Sequence, residues 1–388
     1  MIEFHRVTNV FGPSAKVALE RLRAGQSRDE ILEQTGNLVA TAEVTLEVRR
    51  GEIVVLMGLS GSGKSTLLRC ANALVRPVEG RVLVRDGDEA VELGGADART
   101  LRRIRQRRVS MVFQKFALLP WRTLRGNVAF GLEVQGMPPE QSLPVVDEML
   151  DRVGLSGWKD KCPHELSGGM QQRVGLARAL ATNADILLLD EPFSALDPLI
   201  RSKMQGELLG LQRELEKTML FVTHDLDEAL KLGTRVAIME GGRLIQVGSP
   251  EEIVTRPQTD YVRRFVSHVN PLNVLCARSL MRPIGELARD AGLVTLDGGA
   301  VHVRLDEGGR PREAELDGMP VPIVRYSARG EGALPEPTLF SAGCEEPIRL
   351  AIDAVHASGR PLLLLDADGR LVGVVTGAEI LRALASGR

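Results

Sequence analysis

Aromatic side chains are scarce, at 3% of 388 residues, so few groups are on hand to stack on a planar base. Cysteine is scarcer still. Cys70, Cys162, Cys276 and Cys344 are scattered without CxxC spacing, which argues against a zinc site or a disulfide framework and fits a reducing cytosol. Long apolar runs are missing too. The longest, such as "IVVLMG" and "ILLLD", have strand length and fall far short of a membrane span, so any membrane role must come through a partner. The opening "MIEFHRVTNVFG" has neither the basic start nor the apolar run of a signal peptide. Charge of one sign is absent as well. The 51 acidic and 49 basic residues leave a net charge of −2, which implies no general attraction to nucleic acid or anionic lipid.

What is present is ordinary for a soluble globular protein: 44% hydrophobic and 26% charged residues, in a chain long enough for two or three domains. Residues 1–11 and 39–57 read as strands, the second ending in "GEIVVLMG". Between them, Val17, Leu19, Leu22, Ile31 and Leu32 suggest short amphipathic helices broken by Gly25. From 51 to 268, apolar strands ("RVSMVFQ", "ADILLLDEP", "TMLFVTHD", "RVAIMEGGRLIQVG") alternate with helical stretches, the pattern of an α/β layer with a largely parallel sheet. "HVNPLNVL" reads as a linker. The remainder is rich in Gly, Arg and Asp through 285–337 and ends in helix, strand, strand, helix, a second and smaller domain. Residues 276–330 and 331–388 are candidates for two divergent halves of one pair.

"GLSGSGKST" follows the apolar strand "EIVVLM" and opens a helix, matching GxxxxGK[ST] at Gly58, Gly63, Lys64 and Ser65. Glycines let consecutive backbone N–H groups converge on phosphates without Cβ clashes. Lys64 is expected to bridge the β- and γ-phosphates and Ser65 to bind Mg2+. The ATP cradle is assigned to Gly58, Ser60, Gly61, Ser62, Gly63, Lys64, Ser65 and Thr66. "ILLLDEP" puts Asp190 and Glu191 at the end of a wholly apolar strand. Asp190 is placed to hold Mg2+, directly or through water, and Glu191 to polarise the attacking water as general base. An acidic pair here could alternatively only cap the following helix. His224 in "LFVTHD" and Gln114 in "MVFQ" also sit at strand ends, where a bland hydrogen-bonding role is the usual one. Their order along the chain with "LSGGM", "DE" and "SALD" raises both above it.

That ordered set resembles the ATP-binding subunit of ABC transporters over about residues 1–268. The resemblance implies an α/β fold: a P-loop NTPase of the ABC type, with a RecA-like core and a helical signature subdomain at about 115–180. It gives Gln114 the Q-loop role of reaching Mg2+ and water, and His224 the switch role at the γ-phosphate. "LSGGM" becomes the signature and Ser194–Asp197 the D-loop. Phe11, in "NVFG", is the candidate for stacking on adenine, the alternative being a core residue. The helical insertion at about 13–38, "FSALDPLIR" and "THDLDEAL" look like the importers of glycine betaine, proline betaine, carnitine and choline. Those ATPases carry a CBS-type tail. "SLMRPIGELA" and "LLLLDADGRLVGVVTGAEIL" resemble the opening and end of such a region, implying a linker at 269–275 and a smaller α+β, CBS-like domain at 276–388. The CBS Asp is replaced by Glu379, one methylene longer, with an adenine nucleotide as one candidate ligand there.

A second phosphate seat, Ser167, Gly168 and Gly169 at the start of a helix, is redundant within one chain that already has a P-loop. The resemblance resolves this. Two copies pack head to tail, and Ser167, Gly168, Gly169 and Asp197 of each meet the ATP held by the other. It also implies two permease subunits, a substrate-binding protein, and residence on the cytoplasmic face of the inner membrane. Leu118, Leu119 and Trp121 are expected to help dock a permease helix, or else to form local core. The competing readings are an importer for another small solute such as an amino acid, a non-transport ABC protein, and a ligand-sensing module with a subordinate ATPase.

Overall fold

The computed structural model describes residues 1–267, 269, 274–290, 292–326 and 337–386, which form two compact units, Met1–Ser267 and His268–Arg388. Residues 270–273 of the expected linker lie outside the described residues.

The first unit opens with β1 (Ile2–Phe11). Two short helices, α1 (Ala15–Arg23) and α2 (Arg28–Thr35), precede β2 (Leu38–Val48). A reciprocal capping box starts α2: the Ser27 side chain accepts from the Glu30 N–H, and the Glu30 carboxylate accepts from the Ser27 N–H. Ala18, Ile31, Val39 and Ala42 form a small core that seats these helices on the strands. The run 39–57 is two strands rather than one. A turn closed by Glu52 N–H on the Arg49 carbonyl separates β2 from β3 (Ile53–Met57). Their burial differs accordingly: β2 alternates at its C-terminal half, whereas every residue of β3 is buried.

Next come α3 (Lys64–Cys70), β4 (Glu79–Asp86), β5 (Glu89–Glu92), α4 (Ala98–Arg107) and β6 (Val109–Val112). Three helices follow, α5 (Leu124–Val134), α6 (Pro139–Arg152) and α7 (Gly168–Ala181). The unit closes through β7 (Ile186–Asp190), α8 (Pro198–Leu215), β8 (Thr218–Val222), α9 (Leu226–Leu232), β9 (Arg235–Glu240), β10 (Arg243–Gly248), α10 (Pro250–Thr255) and α11 (Asp260–Val266). Two sheets result. An antiparallel one runs β2-β1-β4-β5; the other runs β10-β9-β3-β8-β7-β6 and is parallel except at its β9–β10 edge. Leu56, Leu67, Leu188 and Leu220 belong to the core that covers the parallel sheet. Because β3, β6, β7 and β8 run the same way, the loops bearing Gly58–Gly63, Gln114, Glu191 and His224 all leave one edge, where ligands of open α/β sheets bind.

The second unit contains β11 (Arg282–Pro283), then a meander of β12 (Ala288–Asp290), β13 (Leu293–Leu296), β14 (Val301–Leu305), β15 (Pro311–Leu316) and β16 (Met319–Val321). After β17 (Ile323–Arg325) come β18 (Leu339–Gly343), α12 (Ile348–Ser358), β19 (Leu362–Leu365), β20 (Leu371–Val375) and α13 (Gly377–Ser386). Alternation along β19 sends Leu362 and Leu364 to the core shared with Ile348, Ala351 and Ala354 of α12, and Leu363 to the core shared with Val294 and Val303 of the meander. The meander corrects the expectation of two divergent halves. Its strands alternate buried Val301, Val303 and Leu305 with His302 and Arg304, and among the described residues 274–326 hold no α-helix. Only 339–386 runs strand, helix, strand, strand, helix. No helix among the described residues is long and apolar enough to cross a membrane.

Candidate active site

The loop between β3 and α3 needs its glycines. A Cβ on Gly58 would lie 2.1 Å from the Met239 carbonyl oxygen, and one on Gly63 2.1 Å from that of Ala40; both residues have positive φ. Lys64 curls back over this loop. Its Nζ donates to the carbonyls of Gly58 at 2.8 Å and Leu59 at 2.9 Å, and to Ser62 Oγ at 3.3 Å. Burial lowers its pKa, opposed by the charges of Glu191 and Asp190. Ser65 and Thr66 continue the first turn of α3, while Ser60 and Gly61 stand exposed at the loop tip.

Asp190 is fully buried at the end of β7. Its Oδ1 accepts from the Ser65 hydroxyl at 2.7 Å, and its Oδ2 from Arg69 Nη2 at 3.0 Å. Glu191 follows with φ +49, a left-handed backbone that turns its side chain out of the strand's line. Gln114 Nε2 stands 3.3 Å and His224 Nδ1 3.4 Å from the same oxygen, Glu191 Oε2. The structure therefore brings Lys64, Ser65 and Asp190 into one cluster and Gln114, Glu191 and His224 into the next, across the Asp190–Glu191 peptide.

Ser167, Gly168 and Gly169 begin α7, with the Ser167 hydroxyl accepting from the Met170 N–H at 3.3 Å as an N-cap. Ser167 and Gly168 are exposed, and among the described residues no hydrogen bond joins these three to residues 58–66. Asp197 caps α8 by accepting from the Ile200 N–H. Phe11 ends β1 with 45% of its surface exposed, so it is not a core residue.

Four neighbours of the loops escaped sequence reading. Arg69 has been described. Arg28 Nη1 donates to the Gly61 carbonyl at 2.6 Å, so the insertion touches the P-loop tip. Tyr261 Oη accepts from the Leu59 N–H at 3.4 Å. Gln172, inside α7, bonds the carbonyl of Glu191. All four lie outside the quoted motifs, whose spacing carries no signal for such contacts.

The arrangement is that of a P-loop nucleotide hydrolase: backbone amides and one lysine for phosphates, with a carboxylate beside them to work on water. Comparison with known proteins identifies which one. Residues 41–194 match the family model described as ABC transporter. The chain is 40% identical to a glycine betaine/carnitine transport ATP-binding protein of Listeria monocytogenes, over 99% of this chain and 97% of that one. It is 37% identical to the glycine betaine/proline betaine transport system ATP-binding protein of Escherichia coli, again over 99% and 97%. A solved dimeric ATP-binding cassette in a post-hydrolysis state bound to ADP and Pi aligns with TM-score 0.56 and 31% identity, covering 64% of this chain and 99% of that chain. The chain belongs to the ABC transporter family as an ATP-binding subunit and is an ATPase.

Proposed function

We propose that this ATPase energises uptake of a quaternary amine osmolyte, such as glycine betaine, proline betaine or choline, and does so as a head-to-tail pair of chains. Two permease subunits would anchor the pair to the cytoplasmic face of the inner membrane, with a substrate-binding protein delivering solute. The transport named in the Listeria and Escherichia relatives, matched nearly end to end, supports the substrate class. The observation that carries the chemistry is the approach of Gln114 and His224 to one oxygen of Glu191.

In this reading Gly58–Thr66 hold the phosphates of ATP, Lys64 lies along the β- and γ-phosphates, and Phe11 stacks on adenine. The pairing of the Ser65 hydroxyl with Asp190, both oxygen donors, fits Mg2+ beside the Gln114 amide oxygen. Mg2+ bound there would neutralise charge on the β- and γ-phosphates. Glu191 accepts the proton of the attacking water, and His224 orients that carboxylate and reads the γ-phosphate. Ser167, Gly168, Gly169 and Asp197 face the ATP of the neighbouring chain, a reading that the exposure of Ser167, Gly168 and Asp197 favours. ATP thus closes the pair, and loss of the γ-phosphate opens it.

Trp121, 75% exposed, and Leu119, on the wall of a cavity of about 810 Å3 with Phe113, Phe130 and Val134, suit a docked permease helix. Leu119→Asp should then prevent assembly with the permease, and normal assembly would sink the docking role. For residues 276–388 we propose regulation of the ATPase. Glu379 Oε2 accepts from the Thr376 N–H at 3.0 Å and from the Thr376 hydroxyl, which ties it to the start of α13, and an adenine nucleotide is one candidate effector of the region.

The deciding experiment is ATP turnover of Glu191→Gln in the full chain, with and without its permease in vesicles. Turnover should fall at least 100-fold with ATP binding retained. In the wild-type assembly, glycine betaine should stimulate hydrolysis and an amino acid should not. Wild-type turnover by Glu191→Gln would remove the general-base role, and stimulation by the amino acid alone would remove the substrate class.

A further inference from the structure

Gln172 lies in α7, one turn beyond the exposed start at Ser167–Gly169, with only 1% of its surface exposed. A buried amide destabilises unless both of its ends are bonded, and here both are. Nε2 donates to the Glu191 carbonyl at 3.0 Å, and Oε1 accepts from the Ala195 N–H at 3.0 Å. A carbonyl requires a donor and an N–H requires an acceptor, so the partners fix which end of the amide is which.

The two bonds span the segment 191–195. It starts at Glu191 in a backbone conformation that residues with side chains seldom adopt, with φ +49. The Glu191 carbonyl also accepts from Ser194 Oγ at 3.1 Å. The orientation of that peptide sets the direction in which the Glu191 side chain leaves the backbone. Gly169 meets the same segment from the helix start: a Cβ there would lie 3.1 Å from the Ala195 oxygen and 3.3 Å from Leu196 Cδ2. The beginning of α7 and the base of Glu191 are thus in contact through one turn of helix, which is stiff over that length.

We infer that Gln172 is a positioning residue: it holds Glu191 in place for water activation and transmits to it the docking of the neighbouring chain's nucleotide on Ser167–Gly169. The inference rests on the two-chain site proposed above. In such a pair, α7 begins at one nucleotide, and through Gln172 it steadies the carboxylate that serves the other. Both sites are then coupled inside each chain, by a two-bond link between a helix and a strained loop. Glutamine suits the task. Methionine matches its length but makes neither bond, and asparagine is one methylene short.

The test uses full-length Gln172→Met and Gln172→Asn beside Glu191→Gln. Fluorescent-nucleotide binding, ATP-driven dimerisation by sedimentation, and hydrolysis against ATP concentration are measured for each. For Gln172→Met, kcat should fall roughly 10- to 100-fold, as misplacement of a catalytic group by about 1 Å does. KM, ATP affinity and ATP-driven dimerisation should hold within about twofold, and the Hill coefficient for ATP should drop toward 1. A purely structural role would lower binding and dimerisation together with kcat. Wild-type kcat and Hill coefficient in folded Gln172→Met overturn the inference; should that variant not fold, the same result in Gln172→Asn does so. With Glu191→Gln inactive, that failure leaves the site reading standing. With Glu191→Gln fully active, the site reading itself fails.

Discussion

Arg69 Nη2 stands 3.0 Å from Asp190 Oδ2, while Asp190 Oδ1 accepts from the Ser65 hydroxyl at 2.7 Å. Both oxygens of a fully buried carboxylate are therefore partnered, one of them by Arg69, which lies about one helical turn beyond Ser65 and outside the motif. Arg69→Ala removes one partner and leaves Oδ2 bare. Losing one partner of a buried ion pair is costly, but Arg69 keeps 41% of its side-chain surface exposed, which lowers the figure to about 1–2 kcal/mol. Thermal unfolding should report that loss. Mg2+ and ATP together should narrow the gap between variant and wild type, since a cation at Asp190 replaces the missing charge. An unchanged melting temperature would show that Arg69 does not support the carboxylate.

Gly168 offers an unusually clean substitution. A Cβ built there meets nothing within 4 Å, so Gly168→Asp should fold with an unchanged melting temperature. It should bind ATP through its own P-loop as well as wild type. Hydrolysis should fall at least 100-fold, because a carboxylate then faces a γ-phosphate across the pair, an unfavourable like-charge contact. Radiolabelled ATP binding and phosphate release separate the two effects.

Glu228 gives a pH signature. It is buried at the start of α9, and desolvation raises its pKa above the ordinary 4.5, opposed by hydrogen bonds from Thr223 and Gln205. Between 4.5 and the raised folded value, the native state binds more protons than the unfolded state. Stability therefore falls as pH rises through that window. Glu228→Gln keeps an acceptor for the Gln205 amide, which donates at 3.1 Å, and removes the buried charge. The variant should melt higher than wild type at pH 8, and the difference should shrink toward pH 4.5. Parallel melting curves across pH would contradict this.

The parallel sheet and the P-loop were legible for definite reasons. "IVVLM", "ILLLD" and "TMLFV" are apolar but for the terminal Asp190 and Thr218 because β3, β7 and β8 are covered on both faces, and the glycine spacing of Gly58–Ser65 admits few other readings. The division of 39–57 was not read, because β2 and β3 follow one another with only the short turn at 49–52 between them, although β2 alternates and β3 does not. The meander at 288–321 was hidden among Gly, Arg and Asp, although its alternation is regular once the turns are known. Side-chain partners were the least accessible. Tyr261 meets Leu59 across 202 residues and Arg69 meets Asp190 across 121, separations that no local period encodes.

The central claim is that Ser167–Gly169 of one chain complete the P-loop of another. Mixing Lys64→Ala with Gly168→Asp tests it most directly. Each variant alone lacks one half of every site and should give no phosphate in a single-turnover experiment. In a mixed pair, one composite site has both lesions and the other has none. With random pairing half of the dimers are mixed, so roughly a quarter of wild-type single-turnover product should return. A mixture as silent as its two components would contradict the account and place each active site within a single chain.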